Sequence, residues 1–150
     1  MKALIQRVKC GSVTIDGSVK GEIKQGYVVL LGVKTGDREE DARKLAQKTV
    51  SLRIFSDEND RMNLSIIDVS GEILVISQFT LYADTRKGNR PSFIRSGNPE
   101  LAKQLYEEYI SSLRSELTEA RVQTGIFGAS MEVKIINDGP VTIELTTDVS

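Results

Sequence analysis

The chain of 150 residues has no histidine, no tryptophan and a single cysteine, Cys10. Without histidine there is no imidazole base, which excludes Ser-His-Asp and Cys-His catalysis near neutral pH. One cysteine also excludes an internal disulfide and, with histidine missing, an ordinary zinc site. We therefore expect no metal and no other cofactor, and a protein of the reducing cytoplasm.

The sequence also lacks any apolar run long enough to cross a membrane. Its longest, Tyr27–Val33, is far shorter than the ~20 residues that a spanning helix needs. The opening segment, Met1–Arg7, loses its apolar character at once, which predicts that no secretory signal is present. A hydrophobic content of 39% over 150 residues fits one globular domain that covers positions 1–150, with no contact to membranes.

The sequence has almost no excess of charge of either sign, because its net charge is only −1. The chain as a whole therefore has no general attraction for nucleic acid. A local exception is the basic loop, residues Arg86–Arg95, which contains four cations, no acid and one aromatic residue. Arg86, Lys87 and Arg90 are its candidate contacts to RNA, and a solvated surface loop is the alternative.

The pattern of apolar residues predicts an α+β fold. Its elements are a twisted, barrel-like and mostly antiparallel β-sheet with two main helices. One helix is predicted over Arg38–Ser51, and the second begins at Asn98, with Pro99 at its first position. Strands are predicted over five segments: Ala3–Ile15, Ser18–Ile23, Gly26–Val33, Leu52–Phe55 and Gly71–Ile76.

A proline interrupts the last strand-like region. The run Asn-Asp-Gly-Pro at Asn137–Pro140 separates Met131–Ile136 from Val141–Thr146, and both flanks are rich in β-branched residues. Proline offers no N–H to a sheet, and only an X-Pro bond adopts the cis form at a cost as low as roughly 0.5–1 kcal/mol. A rigid Gly139-Pro140 unit can hold two carbonyl oxygens in a fixed direction. The alternative is the ordinary turn of a closing hairpin.

A polar segment lies where an apolar strand runs out into a loop. Ser77 and Thr80 offer hydroxyl groups, and Gln78 can donate to a developing oxyanion. No base accompanies them, and an unassisted serine or threonine is a poor nucleophile. The residues therefore favour positional catalysis on a labile substrate, and capping of the loop backbone is the alternative.

These segments resemble the D-aminoacyl-tRNA deacylases of the D-Tyr-tRNA deacylase type. Met1–Val8 resembles the first strand of that family, and Ser77–Leu81 resembles its SQxxL motif. Phe127–Ala129 with Met131, followed by Asn137–Thr142, resembles a second motif in which the Gly-Pro bond is cis. Both motifs occur in order and at family-like spacing, and the resemblance covers the whole chain.

The resemblance implies a homodimer that hydrolyses the ester between a D-amino acid and the terminal ribose of tRNA, held at the acceptor end. The Gly-Pro motif of one subunit would enter the pocket of the other. There the carbonyls of Gly139 and Pro140 would address the substituents of the α-carbon, so that an L-residue clashes. Glycine has no side chain to reject, so glycyl-tRNA would also be cleaved.

Individual roles follow from the same resemblance. Phe79 and Thr80 would line the acyl pocket with their N–H groups near the scissile carbonyl, and Phe127 and its neighbours would flank the terminal adenine. Two other functions remain open: a non-catalytic RNA-binding β module using the basic loop, and a serine hydrolase of small esters, which the missing base disfavours. The expected site residues are Ser77, Gln78, Phe79 and Thr80 for catalysis and Gly139, Pro140, Phe127 and Met131 for substrate binding.

Overall fold

The computed structural model describes residues 1–148 and has the two helices and the mostly β architecture that the sequence predicts. The predicted strand at Leu52–Phe55 is wrong in its position, because the strand of this region covers Phe55–Ser56. Leu52 still donates its N–H to Lys48 O at 3.1 Å and so ends the first helix. The elements are β1 (Lys2–Ile15), β2 (Ser18–Ile23), β3 (Gly26–Gly32), α1 (Glu39–Ser51), β4 (Phe55–Ser56), β5 (Met62–Leu64), β6 (Glu72–Ser77), a 3₁₀ turn (Phe79–Tyr82), α2 (Pro99–Glu116), β7 (Val122–Thr124) and β8 (Glu132–Thr146).

The main sheet is built around the long strand β1. The strand order is β2-β1-β3-β6-β7, and β8 pairs with the remaining edge of β1. β1 is antiparallel to β2, β3 and β8, whereas β3 pairs with β6 and β6 with β7 in parallel. Since β2 also contacts β6 and β7, the sheet curls into a nearly closed barrel. It is a mixed sheet in which antiparallel pairs predominate.

Two helices cover one side of this sheet and contact each other. Asn98 Oδ1 accepts the N–H of Leu101 at 2.9 Å and caps α2, as the sequence predicts. Thr49 and Tyr109 join the helices through a hydroxyl–hydroxyl hydrogen bond of 2.8 Å. Within residues 1–148, neither helix has the length and apolar character needed to cross a membrane. The inward faces include Leu45, Ala46 and Thr49 of α1 and Leu105, Tyr109 and Leu113 of α2.

The expected closing hairpin is wrong, because β8 is one strand that pairs with β1 on both sides of a bulge. Its first part lies opposite residues 8–14 of β1, and its second part lies opposite residues 2–6. Between the two parts, residues 138–141 bulge out opposite Arg7 alone. The Gly139–Pro140 peptide bond in this bulge is cis. Pro140 has no N–H for the ladder, and the bulge removes the need for one.

Candidate active site

A cavity of about 690 Å³ opens at the carboxyl ends of β3 and β6. The two strands are parallel, so their carboxyl ends lie at the same edge of the sheet. The first turns of α2 and the start of β8 close the other sides. The cavity is lined by Leu31 and Val33 around the end of β3, Ile76, Ser77, Gln78 and Phe79 around the end of β6, Phe93, Ser96, Gly97, Asn98, Pro99, Ala102 and Tyr106 near and within α2, and Phe127, Gly128, Ala129, Met131 and Val133 before and within β8.

The turn after β6 is held tightly against β3. Ser77 pairs with Leu31, and the next N–H, of Gln78, donates to Leu31 O at 2.7 Å. A Cβ atom at Gly32 would lie 3.0 Å from Leu81 Cβ and 3.2 Å from Gln78 O. The absence of that atom therefore lets the 3₁₀ turn approach β3. This packing sets Phe79 at the edge of the cavity.

Two backbone donors lie unused at the start of this turn. Within residues 1–148, the N–H groups of Phe79 and Thr80 donate to no protein acceptor. They belong to the first turn of a 3₁₀ helix, where N–H groups have no partner inside the helix. Preorganised N–H groups of this kind stabilise the negative charge that develops on a carbonyl oxygen during acyl transfer. The turn is therefore suited to polarising an ester.

The side chains of the SQxxL segment take different positions. Ser77, Gln78 and Phe79 line the cavity, whereas Thr80, which was expected to line the acyl pocket with Phe79, is exposed and is not among the lining residues. The Thr80 hydroxyl accepts a hydrogen bond from Gln78 Nε2. Its partner is thus a neutral amide, which cannot take up a proton.

The lining offers no group that titrates near neutral pH. Its one ionisable side chain is Tyr106, and burial raises the pKa of that phenol to about 12. Tyr106 is therefore neutral in the physiological range. Among the described residues, no cluster of three or more His, Cys, Asp or Glu side chains is arranged to hold a metal ion. The cavity can bind and polarise a substrate, but its own side chains supply no general base.

Aromatic side chains shape the cavity from two sides. Phe79 contacts Phe93 edge to face, with ring centroids 5.0 Å apart. On the other side, the ring centroids of Phe127 and Tyr106 are 5.7 Å apart. The structure thus brings Phe127 and Met131 to the same cavity as Ser77–Phe79, although 50 positions separate the two motifs in sequence. Sequence reasoning counted Phe93 as the aromatic residue of the basic loop but did not expect it in the cavity.

The basic loop lies beside the cavity, and its Arg86 forms an ion pair with Asp84, which precedes the loop. Asp84 and Ser92 close it with two backbone hydrogen bonds of 2.7 and 2.9 Å. Arg86 binds the Asp84 carboxylate through Nε at 2.9 Å and Nη2 at 2.7 Å. Hydrogen bonds from Arg86 lower the pKa of Asp84 to about 2. Lys87 and Arg90 are exposed, and no carboxylate within the described residues pairs with them.

The Gly139-Pro140 turn does not reach the cavity of its own chain. Both residues are exposed, and neither is part of the cavity lining. Val133, which does line the cavity, precedes Gly139 along β8 by about 20 Å of extended strand. A single chain therefore keeps the two expected halves of the site apart.

The buried side chain of Arg7 binds the backbone next to the Gly139-Pro140 turn. Arg7 donates from Nε to Asp138 O at 3.1 Å and from Nη1 to Ile54 O at 2.6 Å. Sequence reasoning missed this residue. A signal was present, because Arg7 continues the inward-facing positions Ala3 and Ile5 of β1, where a charge needs buried partners.

Comparison with known proteins identifies the family. The family model described as D-Tyr-tRNA(Tyr) deacylase matches residues 4–146. The D-aminoacyl-tRNA deacylase of Fervidobacterium nodosum is 54% identical over 145 residues, which cover 97% of this chain and 96% of the relative. That of Thermosipho africanus is 51% identical over 145 residues, with the same coverage of 97% and 96%. The solved structure of the "c-Myc DNA Unwinding Element Binding Protein" has a TM-score of 0.94 and 39% identity, covering 99% of this chain and all of that one. The chain belongs to the D-Tyr-tRNA(Tyr) deacylase family.

Proposed function

We propose that the protein hydrolyses the ester of D-aminoacyl-tRNA and that two copies build each active site. Its family is one of hydrolases that act on aminoacyl-tRNA, so the protein is an enzyme of this kind. The observation that supports the proposal best is a cavity with unused backbone donors at its edge and no base in its lining. Such a site suits a substrate that is already reactive.

An aminoacyl ester meets that condition. Water attacks the carbonyl carbon, and the carbonyl oxygen becomes negative. The bond to the ribose oxygen then breaks, and the proton that the water loses goes to that oxygen, which releases the free amino acid and tRNA. The N–H groups of Phe79 and Thr80 stabilise the negative oxygen, and one well-placed donor contributes about 3–4 kcal/mol. The ribose 2′-hydroxyl next to the ester aligns the water, so that the enzyme itself provides orientation.

Selection between enantiomers comes from the Gly139-Pro140 turn of a second copy. The turn is exposed, lies away from its own cavity and is held by Arg7. In a twofold dimer, each turn enters the partner's cavity and produces two equivalent sites. The two carbonyls then meet the substituents of the α-carbon, where an L-side chain clashes and a D-side chain does not.

The same geometry defines the range of substrates. Glycine has no side chain to clash, so glycyl-tRNA is also a substrate. Phe127 and Met131 flank the terminal adenine on the side of the cavity opposite Phe79, and the basic loop with Lys87 and Arg90 contacts the acceptor end. The enzyme acts in the cytoplasm, where tRNA is charged.

The first experiment compares hydrolysis of D-tyrosyl-, L-tyrosyl- and glycyl-tRNA by the purified protein. We expect turnover of the first and the third and resistance of the second. Equal rates for D- and L-tyrosyl-tRNA contradict the selective role of the turn. Release of no amino acid from any of the three, with tRNA binding intact, favours an RNA-binding module instead.

The second experiment tests the shared site by mixing two defective subunits. Gly139→Ala damages the turn, and Ala129→Trp fills the cavity, so each homodimer is inactive. A mixed dimer retains one site with an intact cavity and an intact partner turn, and random mixing of equal amounts restores about a quarter of wild-type activity. No recovery despite mixed dimers, or full activity of a protein that light scattering shows to be a monomer, contradicts the proposal.

A further inference from the structure

Ser96 binds the backbone of the turn that carries the proposed oxyanion donors. Its Oγ donates to the carbonyl oxygen of Phe79 at 3.0 Å, across 17 positions of sequence. Ser96 is half-buried and lines the cavity. Neither motif that resembles the family contains it, and sequence reasoning did not consider it.

The bond matters because of the geometry of the peptide group. Phe79 C=O and Thr80 N–H belong to one planar unit, which is trans, since the single cis bond of residues 1–148 is Gly139–Pro140. In a trans peptide the C=O and the N–H point in opposite directions. A group that fixes the direction of the Phe79 carbonyl therefore also fixes the direction of the Thr80 N–H.

Ser96 is itself held firmly enough to act as such an anchor. Its N–H donates to Phe93 O at 3.0 Å. The next residue, Gly97, donates to Val33 O at 2.9 Å. These bonds tie Ser96 to the chain that leaves β3, whereas Phe79 is itself 55% exposed.

We propose that Ser96 is a positioning residue of the hydrolysis. Its hydroxyl holds the Phe79–Thr80 peptide group so that the Thr80 N–H stays directed at the carbonyl oxygen of the ester. The inference rests on the proposed function, because it needs an ester in the cavity. Ser96 takes no part in proton transfer: its hydroxyl proton stays on Oγ and is directed at Phe79 O.

The test compares Ser96→Ala with a matched control, Thr35→Val. The control removes the bond from Thr35 Oγ1 to Ser96 O (3.1 Å), and it leaves the Ser96 hydroxyl and the backbone bonds to Phe93 and Val33 in place. For Ser96→Ala we expect kcat on D-tyrosyl-tRNA to fall about 10- to 100-fold. This loss does not exceed the loss of kcat that follows when an oxyanion donor is deleted. KM changes less than about twofold, because the substitution weakens binding of the transition state and leaves binding of the substrate nearly unchanged. Ser96→Thr, which keeps the hydroxyl, restores kcat, and Thr35→Val keeps it.

A second substrate separates positioning from support of the tRNA-binding loop. The D-tyrosyl ester of adenosine lacks the rest of tRNA and therefore does not contact the basic loop. If Ser96 acts through the Phe79–Thr80 peptide group, Ser96→Ala loses the same factor in kcat on this ester as on D-tyrosyl-tRNA. A loss confined to KM on tRNA, or an equal loss in Thr35→Val, overturns the inference. If Ser96→Ala melts below the assay temperature, Ser96→Cys replaces it under the same criteria. Wild-type kcat in a folded variant overturns this inference alone, whereas a wild-type protein that cleaves neither substrate overturns the proposed function.

Discussion

Arg7 donates from Nε to the main-chain carbonyl of Asp138 at 3.1 Å, and the same nitrogen lies 3.6 Å from the Asp138 carboxylate. The guanidinium is buried and also donates to Ile54 O. One cation thus connects β1, the chain before β4 and the bulge of β8. The position of Gly139, the next residue along, therefore depends on a contact between segments 131 positions apart.

The first prediction concerns Arg7→Met, which keeps most of the volume but removes the donors. Each hydrogen bond to a charged group contributes about 1.5–3 kcal/mol and Arg7 makes two, so we expect the free energy of unfolding to fall by about 3–6 kcal/mol. Because the turn loses its anchor, turnover of D-tyrosyl-tRNA falls at least about tenfold. Urea unfolding and single-turnover hydrolysis measure the two effects.

Asp138→Asn is the matched control for this prediction. It keeps the main-chain acceptor and removes only a carboxylate that is 34% exposed and 3.6 Å away. An ion pair of that kind contributes at most about 1 kcal/mol, so stability and turnover change little. Equal losses in both variants would show that the side-chain charge, and not the carbonyl, holds the bulge.

The second prediction is that Gly139→Ala lowers activity on every aminoacyl-tRNA. Gly139 has φ +123°, and an added Cβ would lie 3.0 Å from Val141 Cγ2 and 3.2 Å from Arg7 Nη2. The turn must shift to relieve these contacts. Gly17→Ala is the control, because Gly17 also has a positive φ, +78°, but its Cβ would meet nothing within 4 Å. If both variants lose activity equally, backbone strain in general is responsible, and not the placement of the turn.

The third prediction concerns the charge of the basic loop. Asp84 neutralises Arg86, so Asp84→Asn frees one cation at any pH above the Asp84 pKa of about 2. We expect tighter binding of tRNA and a salt dependence whose slope is steeper by up to about one unit. Arg90→Glu should have the opposite effect, and both should leave the preference for D-substrates unchanged. Filter binding over a range of salt concentrations measures the slope, and a slope that neither variant changes locates the tRNA contact elsewhere.

The fourth prediction is a partial loss in Thr80→Ala. The hydroxyl is bound to the Gln78 amide, and the cavity lining has no base to activate it. The backbone N–H of residue 80 survives the substitution, so we expect hydrolysis to fall less than about 10⁴-fold, the scale of removing a member of a catalytic triad. Mass spectrometry of quenched reactions should detect no acyl-enzyme. A trapped ester on Thr80 would establish covalent catalysis.

Features that depend on near neighbours were predicted well from the sequence. The start of α2 at Asn98 and Pro99 follows from the chemistry of one helix turn, and the end of β6 at Ser77 follows from one change from apolar to polar residues. In each case the deciding interactions lie within a few positions, where propensity and pattern carry the information.

Features that depend on distant partners were not predicted. The two halves of β8 have the composition of a hairpin, but β1 runs past both and pairs with both. Local composition does not say which strand will be the partner. Ser96 and Arg7 were missed for the same reason, since each acts on a backbone carbonyl that is remote in sequence. The motifs therefore point to the turn that we propose to be catalytic, whereas the groups that hold it in place emerge only from the fold.

The last prediction concerns stability at high pH. The chain has four tyrosines, and all of them, Tyr27, Tyr82, Tyr106 and Tyr109, are buried. Burial raises the pKa of each phenol above the ordinary value of 10.0, and raises that of Tyr106 to about 12. Above pH 10 the unfolded chain therefore releases phenolic protons that the folded chain retains. Since the unfolded state then binds fewer protons, the free energy of unfolding is constant below pH 10 in this respect and falls as the pH rises from 10 towards 12. Tyrosinate absorbance and circular dichroism should consequently change together in one cooperative step above pH 10. Tyrosines that ionise near pH 10 while the circular dichroism stays native would show that the phenols are accessible to water, contrary to their burial in the core.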